Sequence, residues 1–246
     1  MVLAAHDRVT GPGHFGRFVE TEGVEKMSCH LEADLDLGGC SVLGIRPLLW
    51  KNDWPVAGDK FREGVYEIES ERRGYALELA VDFVRHDLPR SPFWQIDTTK
   101  IKPLPAQTLE EVKGTWPAGN IAARIGDYMW RAHQKWNVEA VKDAGGYLGA
   151  PYYKITISGT DRALAAAEGG NVTTVEHFTA APEQLWRIEQ LTDGTFRIMP
   201  RVVPGMPVGA KGTNETLVLT SVGDSTPALA PFDFGSDNSK WNFRKH

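Results

Sequence analysis

The sequence lacks the features that mark several large classes of protein. Its two cysteines, Cys29 and Cys40, are too few for a disulfide framework. They could pair across the turn at Gly38 and Gly39, but free thiols are expected in a cytosolic protein. No stretch approaches the ~20 apolar residues that a membrane-spanning helix needs. The net charge is −5 without a long lysine or arginine run, so we expect no binding to nucleic acid or to an anionic membrane.

The N-terminus also lacks a secretion signal. Residues 1–8 contain no basic region, and their apolar run is too short for a signal peptide. We therefore expect a cytoplasmic protein, or a secreted one if a leader has been removed.

Alternation of apolar and polar residues is the dominant local pattern, and it is typical of half-buried β-strands. It runs through residues 29–37 and again through residues 77–83. The 25 glycines and 15 prolines place turns at the spacing expected of a barrel or a sandwich. Helix candidates are few, namely residues 108–113 and one or two turns within residues 121–136. The sequence predicts an all-β protein.

Tryptophan is abundant, with eight copies, and three of them close a repeated phrase. The phrases are Gln134-Lys135-Trp136, Gln184-Leu185-Trp186 and Ser239-Lys240-Trp241, with a weaker copy at Trp94. Recurrence at roughly 40 to 55 residues indicates an internal repeat. In each copy the tryptophan and the apolar residue two positions later point the same way along a strand. Three copies can therefore fill a barrel floor that a single copy could not bury.

The two clearest copies share one order of elements, which is an aromatic-x-Ile strand, a Leu-rich strand and the closing tryptophan. This order resembles the ricin-B-type β-trefoil family, also called the Gln-x-Trp repeat family. The resemblance implies three lobes of four strands each, which form a six-stranded barrel capped by three hairpins. It assigns residues 98–246 to the β-trefoil and leaves residues 1–97 as a β-rich N-terminal region. An alternative frame begins near residue 60, because residues 64–79 make another lobe-like unit.

The resemblance also implies where a sugar would bind. Each active lobe of the family uses an Asp just after the Leu of its second strand, an aromatic platform, and an Asn-Gln pair before the closing tryptophan. The Asp position falls on Ala165 in one lobe and on Val218 in another, and the lobe closing at Trp136 shows no obvious Asp. We therefore predict that the usual sugar site is degenerate. The side chains expected to contact a ligand are Trp130, His133, Gln134, Asp161, Gln184, Phe232 and Asn238.

Three functions are compatible with these patterns. The first hypothesis is a non-catalytic, lectin-like protein that binds a glycan. The second is an inhibitor of a protease or another hydrolase, which would bind through the loops at residues 202–212 and 228–234. The third is an enzyme with a site between the N-terminal region and the trefoil, built from His14, His30 and His86.

No cofactor and no metal ion are expected. His30 and Glu32 share one face of a predicted strand, which could suit a metal ion, but we interpret that face as solvent-exposed. The expected partner is a glycan or a protein, and no oligomeric state is predicted.

Overall fold

The N-terminal part of the protein is a four-stranded antiparallel meander, seen in a computed structural model. That structure describes residues 3, 5, 9–33, 39–72, 74–81, 109–127, 131–147, 150–206, 216–223 and 226–245. The meander consists of β1 (Gly13–Thr21), β2 (Val24–Ala33), β3 (Cys40–Lys51) and β4 (Trp54–Ala57). Its own core is small and centres on Met27, Cys29 and Leu48. Cys29 is buried and Cys40 is exposed, and the two form no disulfide with each other.

Three lobes of four strands follow the meander. Lobe 1 contains β5 (Gly64–Ser70), β6 (Tyr75–Leu79), β7 (Ile121–Asp127) and β8 (Lys135–Ala140), with a short helix α1 (Leu109–Lys113) before β7. A small hairpin of β9 (Gly146–Tyr147) and β10 (Ala150–Pro151) leads into lobe 2. Lobe 2 contains β11 (Tyr153–Ile157), β12 (Ala163–Ala166), β13 (Val172–Val175) and β14 (Trp186–Gln190). Lobe 3 contains β15 (Phe196–Pro200), β16 (Leu217–Val222), β17 (Thr226–Pro231) and β18 (Trp241–Lys245).

The first and last strands of the lobes close into a barrel. β5 pairs with β8, β8 with β11, β11 with β14, β14 with β15, β15 with β18, and β18 with β5 again. The two middle strands of each lobe form a hairpin, β6–β7, β12–β13 and β16–β17. This arrangement is a β-trefoil, so the predicted fold class is confirmed.

Strand pairing places β5 and β6 in the same sheet as the barrel strands, as the frame that begins near residue 60 requires. The boundary that was predicted between residues 97 and 98 lies outside the described residues and stays a prediction. Within residues 121–136, where one or two helical turns were expected, the structure has a 3₁₀ turn at Ala132–Gln134 and a strand in the first half. Residues 121–127 form β7, and burial alternates there with period two, since Ile121, Ala123 and Ile125 face the core.

The three repeated tryptophans occupy equivalent places in the core. Trp136, Trp186 and Trp241 are completely buried. Each indole N–H donates a hydrogen bond to the backbone carbonyl of a leucine in the second strand of its own lobe. These bonds are Trp136 to Leu77 at 2.8 Å, Trp186 to Leu164 at 2.9 Å, and Trp241 to Leu219 at 2.7 Å. The bond satisfies the polar end of a large apolar side chain, which lets the whole ring enter the core.

An aromatic side chain from outside the lobes closes one end of the barrel. Phe61 precedes β5, and its ring lies 5.4 Å from Tyr66, 5.3 Å from Tyr153 and 5.7 Å from Phe196, measured between centroids. These three rings open the first strand of each lobe. Phe61 therefore packs against all three lobes at once.

The N-terminal sheet packs on lobes 2 and 3. The backbone N–H of Thr192 donates to the carbonyl of Gly23 at 2.8 Å, and that of Trp50 donates to the carbonyl of Thr192 at 3.0 Å. Gly23 has a φ of +74°, and a Cβ there would lie 2.1 Å from the ring of Phe234. Glycine is needed at this position because both the backbone conformation and the close approach exclude a side chain.

Candidate functional site

The tryptophan hydrogen bonds identify the equivalent position of the second strand in each lobe. The residue after the accepting leucine is Glu78 in lobe 1, Ala165 in lobe 2 and Thr220 in lobe 3. The expected position in lobe 3 was Val218, which is wrong by two residues because Leu219, not Leu217, accepts the bond from Trp241. Lobe 1 is therefore the lobe that carries a carboxylate at this position.

Glu78 lies at the centre of a polar cluster in lobe 1. Its Oε2 accepts a hydrogen bond from the side-chain amide of Gln134 at 2.8 Å, and its Oε1 accepts one from Nε of Arg124 at 2.6 Å. Nε2 of His133 lies 3.3 Å from Oε2. Arg124 faces Glu78 across the β6–β7 hairpin, and Gly126 leaves room for the carboxylate, which lies 2.3 Å from where a Cβ would be. Two hairpin strands and the turn before β8 thus bring the cluster together.

Electrostatics keep Glu78 ionised. Burial alone would raise the pKa of Glu78, since the residue is 4% exposed. Hydrogen bonds from His133 and Arg124, together with the charge of Arg124, outweigh burial and lower that pKa below its ordinary value. The side chain of Arg124 is 32% exposed and is the most accessible part of its ion pair with Glu78. The cluster can recognise hydroxyl groups and other hydrogen-bonding groups.

The other two lobes lack this cluster. In lobe 2 the equivalent amide, Gln184, accepts hydrogen bonds from the backbone N–H and the hydroxyl of Thr179 at 2.7 and 3.3 Å. In lobe 3 the equivalent residue is the buried Ser239. Gln184 thus stabilises the loop before β14 instead of orienting a carboxylate.

The structure separates the residues that were predicted to contact a ligand. His133 and Gln134 lie together beside Glu78, whereas Trp130 lies outside the described residues. Asp161 lies 3.5 Å from Nδ1 of His177. The ring of Phe232 packs 4.9 Å from the guanidinium of the buried Arg197, and Asn238 donates its backbone N–H to Ser236.

Glu78 was missed at the level of sequence because 56 residues separate it from Gln134. The accepting leucine precedes the closing tryptophan by 59 residues in lobe 1 but by 22 residues in each of the other lobes. One sequence signal could have located Glu78. Tyr66, Ile68 and Leu77 follow the same order as the aromatic residue, the isoleucine and the accepting leucine of the other two lobes.

A cavity of about 540 Å³ lies between the N-terminal sheet and the barrel, and we call it the seam cavity. It is lined by β2, β3, residues 59–63 and the Phe61 end of the barrel. None of the described residues that line it is a histidine. The histidines proposed for an enzyme site lie elsewhere, since Nδ1 of His14 is 2.9 Å from Nδ1 of His30 on the β1–β2 hairpin and His86 lies outside the described residues.

Comparison with known families agrees with this topology. Residues 132–220 match the family described as "Ricin-type beta-trefoil lectin domain-like". The C-terminal part of this chain carries a ricin-type β-trefoil lectin domain. No curated protein matches the sequence significantly.

Several solved structures are similar to the lectin domain and its surroundings. A mosquitocidal holotoxin aligns with a TM-score of 0.49 and 13% identity over 80% of this chain, which spans only 19% of the length of the toxin. The designed three-fold symmetric protein ThreeFoil aligns with a TM-score of 0.45 and 15% identity, over 74% of this chain and 99% of its own. The β-trefoil lectin of the Vibrio vulnificus hemolysin/cytolysin, solved with N-acetyl-D-lactosamine, aligns with a TM-score of 0.43 and 15% identity, over 75% of this chain and 96% of its own.

Two further features lie outside the Glu78 cluster. In the loop at residues 202–212, Met206 is 40% exposed and residues 207–212 are outside the described residues, so the inhibitor hypothesis stays a prediction. Among the residues that the structure describes, no three His, Cys, Asp or Glu side chains converge as a metal site would require. The described part of the chain also has no helix that is long and apolar enough to cross a membrane.

Proposed function

We propose that the protein binds a carbohydrate non-catalytically through lobe 1 of its lectin domain. The observation that carries this proposal is the 2.8 Å hydrogen bond between Gln134 and Glu78. The family places a carboxylate after the leucine of the second strand and an amide before the closing tryptophan, and lobe 1 retains both. Trp130 is the residue we expect to serve as the aromatic platform.

The proposed site is a modified form of the usual one. Glutamate replaces the aspartate, and Arg124 lies over the carboxylate, so we infer that a sugar hydroxyl meets the guanidinium first and the ionised carboxylate orients it. Ala165 and Thr220 cannot supply a charged acceptor in the other lobes. We therefore infer one degenerate but competent lobe and two lobes whose Gln-x-Trp positions are structural.

A glycan array tests the proposal, followed by titration of the strongest neutral glycan into variants. Glu78→Gln removes the charge at nearly constant shape, and we expect affinity to fall about tenfold or more, or at least ~1.4 kcal/mol. Glu78→Asp keeps the charge and should retain most of the binding. Near-ultraviolet circular dichroism would verify that each variant is folded.

Gln184→Ala is the matched control, because Gln184 holds the same position in lobe 2 but has no carboxylate partner. We expect this variant to bind the glycan as the wild type does. A blank array, or binding that survives Glu78→Gln and is lost in Gln184→Ala, would overturn the assignment to lobe 1.

A further inference from the structure

The seam cavity has the size of a ligand site. Its volume of about 540 Å³ lies within the ~300–1,000 Å³ range of small-molecule pockets. Phe61, Phe196 and Ile188 contribute apolar walls, and Lys26 and Arg46 are among the charged groups that line it. Glu78 does not line this cavity.

Tyr153 is one of the residues that line this cavity. The residue as a whole is 3% exposed, and its O–H, which is not fully buried, forms no hydrogen bond with any described residue. An accessible phenol on a cavity wall can donate a hydrogen bond to a group that a ligand supplies. Burial, with the nearby charge of Glu63, raises the pKa of Tyr153 to about 12, so the phenol remains a hydrogen-bond donor at neutral pH.

The charges around the cavity show which groups remain available. Lys26 is committed to Glu189 at 3.0 Å, and Arg46 is committed to Asp59 at 3.2 Å. In contrast, the exposed Lys60 and Arg62 on the connection into β5 form no ion pair with the described residues.

Glu63, an acid on the cavity wall, already accepts one hydrogen bond from the protein. Oε1 of Glu63 accepts a hydrogen bond from the backbone N–H of Ala140 at 2.6 Å. The groups left for a ligand are therefore mainly donors, namely one phenol, one ammonium and one guanidinium, next to apolar walls.

We propose that the seam cavity binds a carboxylate-bearing sugar, such as a uronic or sialic acid residue of a glycan. The carboxylate pairs with Lys60 and Arg62, a hydroxyl or ring oxygen accepts from Tyr153, and the C–H face of the ring packs on Phe61 and Phe196. This inference rests on the proposed carbohydrate binding, but it assigns a second site that the N-terminal sheet helps to build.

Titration of the whole chain with galacturonic acid and with galactose, followed by ligand-observed NMR, tests this site. The two sugars differ at C6, so the acid should bind and the neutral sugar should not bind in the cavity. We expect the affinity for the acid to fall as the salt concentration rises, because the screened charges supply part of the attraction.

Tyr153→Phe is the decisive variant, because it removes only a hydroxyl that makes no hydrogen bond with the described residues. The fold should be unchanged, and the affinity for galacturonic acid should fall about fivefold to tenfold. Lys60→Ala and Arg62→Ala should each lower the affinity for galacturonic acid by a similar factor. Lys142→Ala is the control, since Lys142 is an exposed lysine that does not line the cavity.

The outcomes separate this inference from the proposed function. Unchanged affinity for the acid in Tyr153→Phe, Lys60→Ala and Arg62→Ala would overturn the seam site. If Glu78→Gln no longer binds galacturonic acid while Tyr153→Phe binds it as the wild type does, the acid binds in lobe 1. In that case the seam site fails and the proposed function stands. If galacturonic acid does not bind while neutral glycans do, the seam site likewise fails alone.

Discussion

Lys26 of the N-terminal sheet and Glu189 of the barrel form an ion pair of 3.0 Å, in which the two side chains are 8% and 3% exposed. Arg187 and Arg197 also contact this glutamate. One carboxylate therefore contacts three cations at the contact between the two parts of the protein. Of these side chains, those of Glu189, Lys26 and Arg197 are 8% exposed or less, and that of Arg187 is 18% exposed.

Glu189→Gln should destabilise the protein much more than Lys26→Met. The glutamine leaves the cations buried without their counter-charge, and we expect a loss of about 3–5 kcal/mol in the free energy of unfolding. The methionine leaves Glu189 with its two arginines, so the loss should be smaller. Urea unfolding measures the stability of both variants.

Glu139→Gln is the control, because Glu139 pairs with Lys154 at the equivalent place of lobe 1 but is 43% exposed. We expect this control to lose about 0–1 kcal/mol of unfolding free energy. Equal losses for Glu139→Gln and Glu189→Gln would contradict this account.

Glu189 also makes the stability of the protein depend on pH in the acid range. Burial would raise the pKa of Glu189, but the charges of Arg187, Arg197 and Lys26 lower it below the ordinary 4.5. A carboxylate whose pKa is lower in the folded state stabilises the protein above its unfolded pKa. That stability is lost as the pH falls through the folded pKa. We expect the urea midpoint to fall between about pH 5 and about pH 3, and to fall less steeply in Glu189→Gln. If the urea midpoint falls equally steeply with pH in the wild type and in Glu189→Gln, Glu189 is not a main cause of the loss of stability in acid.

Tyr153 should give the opposite dependence at alkaline pH. Its pKa is raised to about 12, above the ordinary 10.0, so the neutral phenol is favoured in the folded state. The resulting stability is fully present below pH 10 and is lost as the pH rises through about 12. Ultraviolet absorbance of the phenolate should show one tyrosine that titrates late, and Tyr153→Phe should remove that late step. A late step that persists in this variant would belong to another tyrosine.

The three core tryptophans should respond alike to replacement. In Trp136→Phe, Trp186→Phe and Trp241→Phe, a leucine carbonyl loses its donor and a cavity opens, and we expect a loss of about 2–4 kcal/mol each. Trp54→Phe is the control, because Trp54 is 57% exposed, and its effect should stay within about 0.5 kcal/mol. Chemical denaturation compares the four variants. If one core variant were as stable as the control, the three lobes would not be energetically equivalent.

The repeated tryptophan motifs predicted the fold because a three-fold symmetric barrel needs the same side chain at three equivalent positions. A barrel floor filled by three equivalent side chains forces large apolar residues to recur along the chain, and recurrence is visible without coordinates. The alternation of apolar and polar residues in β6 and β11 was visible for the same reason, since side chains of a strand alternate between two faces. In β7 the helix-forming alanines and Arg124 obscured that period, and only the pairing with β6 and β13 decided that the segment is a strand.

The candidate site was much less accessible to sequence reasoning. Glu78 and Gln134 are far apart along the chain, and their contact depends on closure of lobe 1 across a long connection. Phe61 and Lys26 gave no signal at all, because each acquires its role from a partner on another element. Tyr153 gave a signal only as the aromatic residue of an aromatic-x-Ile strand, not as part of a cavity. The sequence by itself determined the repeat, the all-β class and the trefoil order of elements, since these follow from local periodicity and spacing. Tertiary structure alone decided which lobe holds a carboxylate and where the seam cavity opens, because those depend on distances between residues that the chain brings together only when the barrel closes.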